Sequence, residues 1–235
     1  MKWKNKGYKM KMEIHRLSLR MGRNNCYLIK EDGIIMVDAC TPNQGKKFLK
    51  WLKDLSINPG DISLLLLTHG HIDHIGSASE FKKLTGCKVA INHREKDWVE
   101  KALKSVPPGV NLWGKVCAAI GSVLITFIKL PGTPVDLALE DEDHSLEPYG
   151  IHGRVIHTPG HTSGSMSLLL DTGDAFVGDL AVNGLPMRIG PGMPEVAENT
   201  DAVKESWRLL LSNGAKQIYP THGKHFSADV LEKLL

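Results

Sequence analysis

An α/β protein built as a four-layer αββα sandwich is the fold this sequence predicts, on three observations. Short apolar segments of strand length alternate with amphipathic helical stretches in both halves of the chain. In both halves the apolar segments end in turns that carry histidine or aspartate, which lines polar chemistry along one edge of the layers. At 235 residues the chain is long for one domain, yet two sheets with helices outside reach that size.

The elements follow in order. A basic tail is expected at 1–12, where Lys2, Lys4, Lys6, Lys9 and Lys11 precede any core residue, and a single domain at 13–235. Strands are expected at 13–19, 26–30 and 34–38, the last two joined by the Glu31-Asp32-Gly33 hairpin signal. The spacing of Phe48, Leu49, Trp51, Leu52 and Leu55 predicts an amphipathic helix over 44–55. A strand at 62–68, a helix at 77–85, a strand at 88–92 and a helix at 94–103 come next. The stretch 112–128 is mostly apolar, but Lys115, Gly114 and Gly121 and its bare length make it a poor membrane span. It reads as a buried or capping helix bounded by the breaks at Pro107-Pro108-Gly109 and Pro131-Gly132, fit to wall a pocket or mediate a homodimer. Strands at 154–157, 165–170 and 175–177, a helix at 201–212, a strand at 217–219 and a short helix after 227 complete the chain.

Positions 68–76 read Thr68-His69-Gly70-His71-Ile72-Asp73-His74-Ile75-Gly76, directly after the apolar run 62–67. Three imidazoles and a carboxylate so close together are costly to bury unless a divalent cation coordinates them. At period two, His69 and His71 project the same way from an extended segment, while Asp73 and His74 come from the turn that follows. Three later segments repeat the plan of an apolar run closed by a ligand-type side chain. They are His161 in Thr158-Pro159-Gly160-His161, Asp179 after Phe176-Val177-Gly178, and His222 in Pro220-Thr221-His222-Gly223.

This order, His-x-His-x-Asp-His, then Pro-Gly-His, then Gly-Asp, then a late Thr-His-Gly, resembles the metallo-β-lactamase fold superfamily of hydrolases, from about Glu13 to the C-terminus. The resemblance implies a first metal held by His69, His71 and His161, a second held by Asp73, His74 and His222, and Asp179 bridging them. Each ion keeps an open position, as catalytic sites do. Two divalent ions are expected, zinc first, with iron or manganese as alternatives because histidine and carboxylate ligands suit all three. The implied reaction is attack of a metal-bridged hydroxide on an ester, thioester or lactone carbonyl. Asp73 is the expected catalytic residue, acting as ligand, orienter of the nucleophile and proton relay.

Within the superfamily, glyoxalase II shares all seven ligands but carries a helical glutathione-binding extension after the last one, where few residues follow His222 here. Acyl-homoserine lactonases place a tyrosine shortly after the bridging aspartate, and Asp179 is followed by Leu180-Ala181-Val182-Asn183. Metallo-β-lactamases proper generally lack the bridging aspartate. Two alternatives stay open on the same scaffold: a mononuclear iron persulfide dioxygenase, which is an oxidoreductase, and a nuclease like RNase Z. The formal charge of +3 and the absence of a basic patch with interleaved aromatics argue against nucleic acid as a partner.

Asp38, closing the strand at 34–38, is the candidate to orient a ligand histidine from behind, with a turn cap before Thr41-Pro42 as the competing role. His157, four residues before His161, is expected to support the site rather than bind metal. Arg188, in the loop after Asp179, is a candidate to pair with a substrate carboxylate or phosphate. The cysteines Cys26, Cys40, Cys87 and Cys117 form no Cys-x-x-Cys pair and read as separate small core residues of a reducing compartment. The basic start lacks the apolar run of a secretory signal, so a cytoplasmic protein acting on a small molecule, with no membrane partner, is expected.

Overall fold

The central strands of this protein, such as the segments 26–29 and 166–170, are buried on both faces, and that property dictates the layering. The structure, a computed structural model, describes residues 11–19, 24–184 and 188–235. The expected basic tail lies outside the described residues apart from Lys11 and Met12. The first sheet contains β1 (Glu13–Leu19), β2 (Asn24–Lys30), β3 (Ile34–Val37), β4 (Ile62–Leu66), β5 (Lys88–Asn92) and β6 (Leu137–Leu139), adjacent in that order. Its first three strands pair antiparallel and β3 to β6 pair parallel. The second sheet runs β12-β11-β10-β9-β8-β7, formed by β7 (His144–Ser145), β8 (Gly153–His157), β9 (Met166–Leu170), β10 (Asp174–Gly178), β11 (Gln217–Pro220) and β12 (Phe226–Ser227). Only β10 and β11 pair parallel there.

Alternation along each strand sends side chains to two different cores. Tyr27 and Ile29 of β2, Leu64 and Leu66 of β4, Leu168 of β9 and Phe176 of β10 meet between the sheets. Cys26, Leu28 and Leu65 face the other way, against Phe48, Leu52, Ala78 and Phe81. Those four come from α1 (Gly45–Asp54) and α3 (Ala78–Thr85), which lie either side of the one-turn α2 (Ile72–Ile75) in the chain. On the second sheet, Leu169, Ala175 and Val177 turn outward to Val203, Trp207, Leu210 and Leu231. These belong to α6 (Thr200–Ser212) and α7 (Asp229–Leu234), reached after α4 (Lys96–Glu100) and α5 (Leu112–Leu124). Helix, sheet, sheet, helix is thus the order of layers, the metallo-β-lactamase fold that the sequence predicts.

Several expectations are corrected by tertiary structure. The helix expected at 94–103 shrinks to α4, because a tight turn at His93–Glu95 precedes it and Ala102 takes a positive φ of 51°. The strands β6, β7 and β12 are two or three residues long and exist only through their neighbours' ladders. Cys26 and Cys40 are not separate thiols: they are joined as a disulfide, Cα atoms 5.9 Å apart. The hairpin register sets Tyr27 opposite Val37, and left-handed residues at Asp38 and Cys40 fold the chain back toward Cys26. Among the described residues, no helix is long and apolar enough to cross a membrane.

Candidate metal centre

Every ligand-type residue named from the sequence leaves the carboxyl end of a strand. His69, His71, Asp73 and His74 follow β4, His161 follows β8, Asp179 follows β10 and His222 follows β11. In open α/β sheets the crevice beyond strand carboxyl ends is the usual place for a site. Glycine makes the approach of two of these loops feasible. Gly178 has φ 54°, and a Cβ there would lie 2.4 Å from Thr68 Oγ1. Gly223 has φ 107°, and its Cβ would lie 1.7 Å from the Asn183 carbonyl.

The residues gather into two groups. One is His69, His71 and His161; the other is Asp73, His74, Asp179 and His222; within each group the ligand atoms lie within 4.8 Å of one another. In the first, His71 Nδ1 is 2.9 Å from His69 Nε2 and 3.0 Å from His161 Nε2. In the second, His222 Nε2 is 3.2 Å from Asp73 Oδ2 and 3.3 Å from Asp179 Oδ2. The same Asp179 Oδ2 stands 3.8 Å from His161 Nε2 and its Oδ1 stands 3.4 Å from His74 Nε2, so this carboxylate touches both groups. No other residue does so at comparable distances among the described ion pairs.

What stands behind the imidazoles decides which nitrogen is free. His161 Nδ1 lies 2.9 Å from the Val196 carbonyl and must donate to it, leaving Nε2 as a lone pair aimed inward. His74 Nδ1 lies 2.8 Å from Asp38 Oδ2 and donates likewise. Asp38 also accepts from the Thr68 amide at 2.8 Å and from Thr221 Oγ1 at 3.1 Å. It is therefore the orienting carboxylate, not a turn cap. His74 Nε2 and Asp179 Oδ1 are buried and make no hydrogen bond. Buried imidazoles and carboxylates converging on one small space fit a cation, and the donor set of imidazole and carboxylate suits zinc, iron or manganese.

The two groups differ in acidity. Burial holds His69 well below the usual histidine value, and neighbouring His74 and His71 add to the effect. Burial likewise lowers His71 to about 3, with His161 contributing, and lowers His161 against the pull of Asp179. Burial also acts to lower His74 and His222, but there the carboxylates win. Asp38 and Asp179 raise His74 well above its usual value, and Asp179 and Asp73 raise His222 to about 10. Burial would raise Asp73 and Asp179, yet the histidines beside them hold both carboxyls below the usual range.

The other expectations separate. His157 ends β8 with Nε2 2.9 Å from the Ser163 carbonyl and Nδ1 3.5 Å from Asp141, so it braces the His161 loop and joins neither group. Arg188 is turned toward Glu195, 3.9 Å away, and does not line the cavity over the site. One supporting residue carries no sequence signal at all. Glu95 is buried, and its carboxylate accepts from the Gly70 amide, from Thr162 Oγ1 and from the Gly164 amide. It ties the His69-His71 loop to the His161 loop. Burial raises its pKa above the usual carboxylate value while those hydrogen bonds oppose the rise.

Above the two groups opens a cavity of about 340 Å³. His71, Asp73, His161, Asp179 and His222 form its floor, and Val106, Pro107 and the inner face of α5 with Ile125 and Ile128 form its wall. The apolar segment at 112–128 lines the cavity through Cys117, Ala118, Gly121, Leu124, Ile125 and Ile128, but it is not the buried helix expected: Leu112, Trp113, Ile120, Val123 and Phe127 are more than half exposed.

Comparison with known proteins agrees with this arrangement. A family model described as the metallo-beta-lactamase superfamily matches residues 19–222. A probable metallo-hydrolase, YqgX, of Bacillus subtilis is 27% identical over 68% of this chain and 67% of its own. The hydroxyacylglutathione hydrolase GloC of Haemophilus influenzae is 26% identical over 74% of each chain. The crystal structure of the BLEG-1 B3 metallo-beta-lactamase superposes with a TM-score of 0.69 at 21% identity, covering 92% of this chain and 95% of that one, a likeness of fold.

Proposed function

We infer the function from one premise: the chain belongs to the metallo-beta-lactamase superfamily. We propose that it is a binuclear metal-dependent hydrolase of a carbonyl ester, thioester or lactone. The observation that carries this reading is Asp179, which faces both ligand groups at the floor of a single cavity. His69, His71 and His161 would hold one divalent ion, and Asp73, His74 and His222 the other, zinc being the first choice of metal. Such a pair supplies Lewis acidity and a water acidic enough to act as nucleophile near neutral pH.

The protein's own groups do the rest. Asp38 and the Val196 carbonyl fix the tautomers of His74 and His161, so that their Nε2 atoms need not reorient during turnover. Asp73 is the one carboxylate of the floor that is partly exposed to the cavity. It is placed to accept the proton of the attacking water and to return it to the departing alkoxide or thiolate. The net change is addition of water across the acyl bond, giving a carboxylic acid and an alcohol or thiol. Among the described residues no lysine or arginine lines the cavity, which favours a carbonyl compound over a phosphodiester.

The test is elemental analysis of purified protein with rates on a panel of esters, thioesters and lactones. Two metal equivalents and hydrolysis of at least one carbonyl class are expected. Asp73→Asn should remove turnover by about two orders of magnitude while retaining most of the metal, since general acid-base help is worth about that much. A metal-loaded protein that hydrolyses none of the panel overturns the reading.

A further inference from the structure

We propose that the substrate is an uncharged carbonyl compound bearing one hydrocarbon chain, and that the chain lies along the inner face of α5. This rests on the hydrolase reading and names its substrate class. Beyond the floor, the cavity wall is made by Val106, Pro107, Leu124, Ile125, Ile128 and Val196, with Ser105 and Cys117 the polar-atom side chains among the described residues of the wall. None of these described wall residues can pair with a carboxylate or phosphate on the substrate. The segment that builds the wall is rich in lysine, but Lys101, Lys104, Lys115 and Lys129 are all exposed and none lines the cavity. Arg188, in the loop after Asp179, is engaged toward Glu195, and Lys224, two residues after His222, is exposed and does not line the cavity.

The wall is also held in register with the floor. Asn111 caps α5 by accepting from the Gly114 amide at 2.7 Å, and the Val110 amide donates to the Glu195 carbonyl at 2.8 Å. Gly109 pairs with Val196, whose carbonyl receives His161 Nδ1. Gly114 packs so closely on the Glu195 carbonyl that a Cβ would lie 1.9 Å from it. One short stretch, 195–196, therefore fixes both a ligand histidine and the start of the apolar wall. A carbonyl poised over Asp73 and Asp179 would have its chain directed at Leu124 and Ile125. Anionic carriers of the acyl group, such as glutathione, find no countercharge among the described residues of that wall.

Three measurements test this, two of them independent of catalysis. In titration calorimetry on the metal-free protein, affinity should climb from 1-butanol to 1-hexanol to 1-octanol by about two- to fourfold per methylene. Bound 1-octanol should slow alkylation of Cys117 by iodoacetamide, because that thiol lines the cavity whereas Cys87 is buried elsewhere. On metal-loaded protein, kcat/KM for 4-nitrophenyl esters should rise with acyl length from acetate to octanoate, and fall when an ω-carboxylate is added to the acyl chain. Gly121→Leu projects into the cavity toward Val106, where a Cβ already sits 3.8 Å from its methyls. It should flatten the chain-length dependence of both series, and Ala118→Leu should do the same should the first variant fold poorly. Equal affinity for the three alcohols, or alkylation of Cys117 indifferent to 1-octanol, overturns the inference even where esters are hydrolysed. Chain-dependent alcohol binding with no esterase activity would instead uphold the pocket and sink the hydrolase reading.

Discussion

The two ligand groups sit side by side and share a carboxylate, yet they are opposites in charge. His69, His71 and His161 are buried imidazoles held neutral by their surroundings. His74 and His222 are held protonated by Asp38, Asp73 and Asp179. A metal entering the first group meets vacant lone pairs; one entering the second must displace protons. The protein has thus built one half of its centre as a preformed socket and the other as a set of internal ion pairs. Without metal the second half is held by its internal ion pairs, whereas the first is held by close contacts between imidazole nitrogens.

Removing the shared carboxylate should break this pairing most severely. Asp179→Ala is expected to lower activity by about 10³-fold, a loss of several kcal/mol of charge stabilisation. Elemental analysis should show it holding fewer than two equivalents. Undiminished rate and metal content would mean that the two groups do not depend on each other through Asp179.

Selective damage comes next. Asp38→Asn keeps a residue tolerant of the φ of 62° at that position but removes the charge behind His74. It should weaken the second equivalent by about 10- to 100-fold, and Glu95→Gln should weaken the first by a similar or smaller factor. Chelator competition resolves the two equivalents. Equal weakening of both by either variant would show that the supports are not private to one group.

Acidity sharpens the contrast further. In calorimetry across buffers of different ionisation enthalpy near pH 7, the second equivalent should release protons and the first should release almost none. Stability of the metal-free protein should follow the same division. His222, raised to about 10, adds stability that is complete below the unfolded histidine value of about 6.5 and is lost as pH rises through its folded value. His71, lowered to about 3, adds no penalty above about 6.5 and destabilises as pH falls toward its folded value. Urea unfolding between pH 4 and 10 should therefore show a maximum inside that range, and a monotonic profile would contradict the assignment.

The smallest effect is expected at His157. His157→Ala removes one hydrogen bond to the Ser163 carbonyl, so stability should fall by about 1 kcal/mol with both metal equivalents retained. Loss of an equivalent would move His157 into the centre.

Much of the centre was legible because its chemistry is spelled locally. Four ligand residues share one turn after β4, and no packing role explains so many imidazoles in sequence. The strands were legible for a similar reason: runs such as Leu64 to Leu67 are buried on both faces and so stay continuously apolar. Glu95 was not legible, since a lone glutamate in a helical stretch looks solvated until Gly70, Thr162 and Gly164 are brought to it from elsewhere. The Cys26–Cys40 pair depends on hairpin register and two left-handed residues, which no spacing announces. Arg188 failed as a substrate contact because proximity in sequence to Asp179 says nothing about Glu195, its actual neighbour.

The wall of the cavity belongs to the connection between β5 and β6, two strands that lie next to each other and pair in parallel. All seven ligand residues lie outside that connection. Chain entropy penalises a longer closure only logarithmically, about 0.6 kcal/mol for each doubling of length. Apart from Glu95 at its start, which ties two ligand loops together, a segment so placed can grow, shrink or be exchanged while both sheets and the centre keep their form. The molecule is in that sense a fixed reactor with an interchangeable mould, and swapping the mould is the cheapest way to give the same chemistry a different guest.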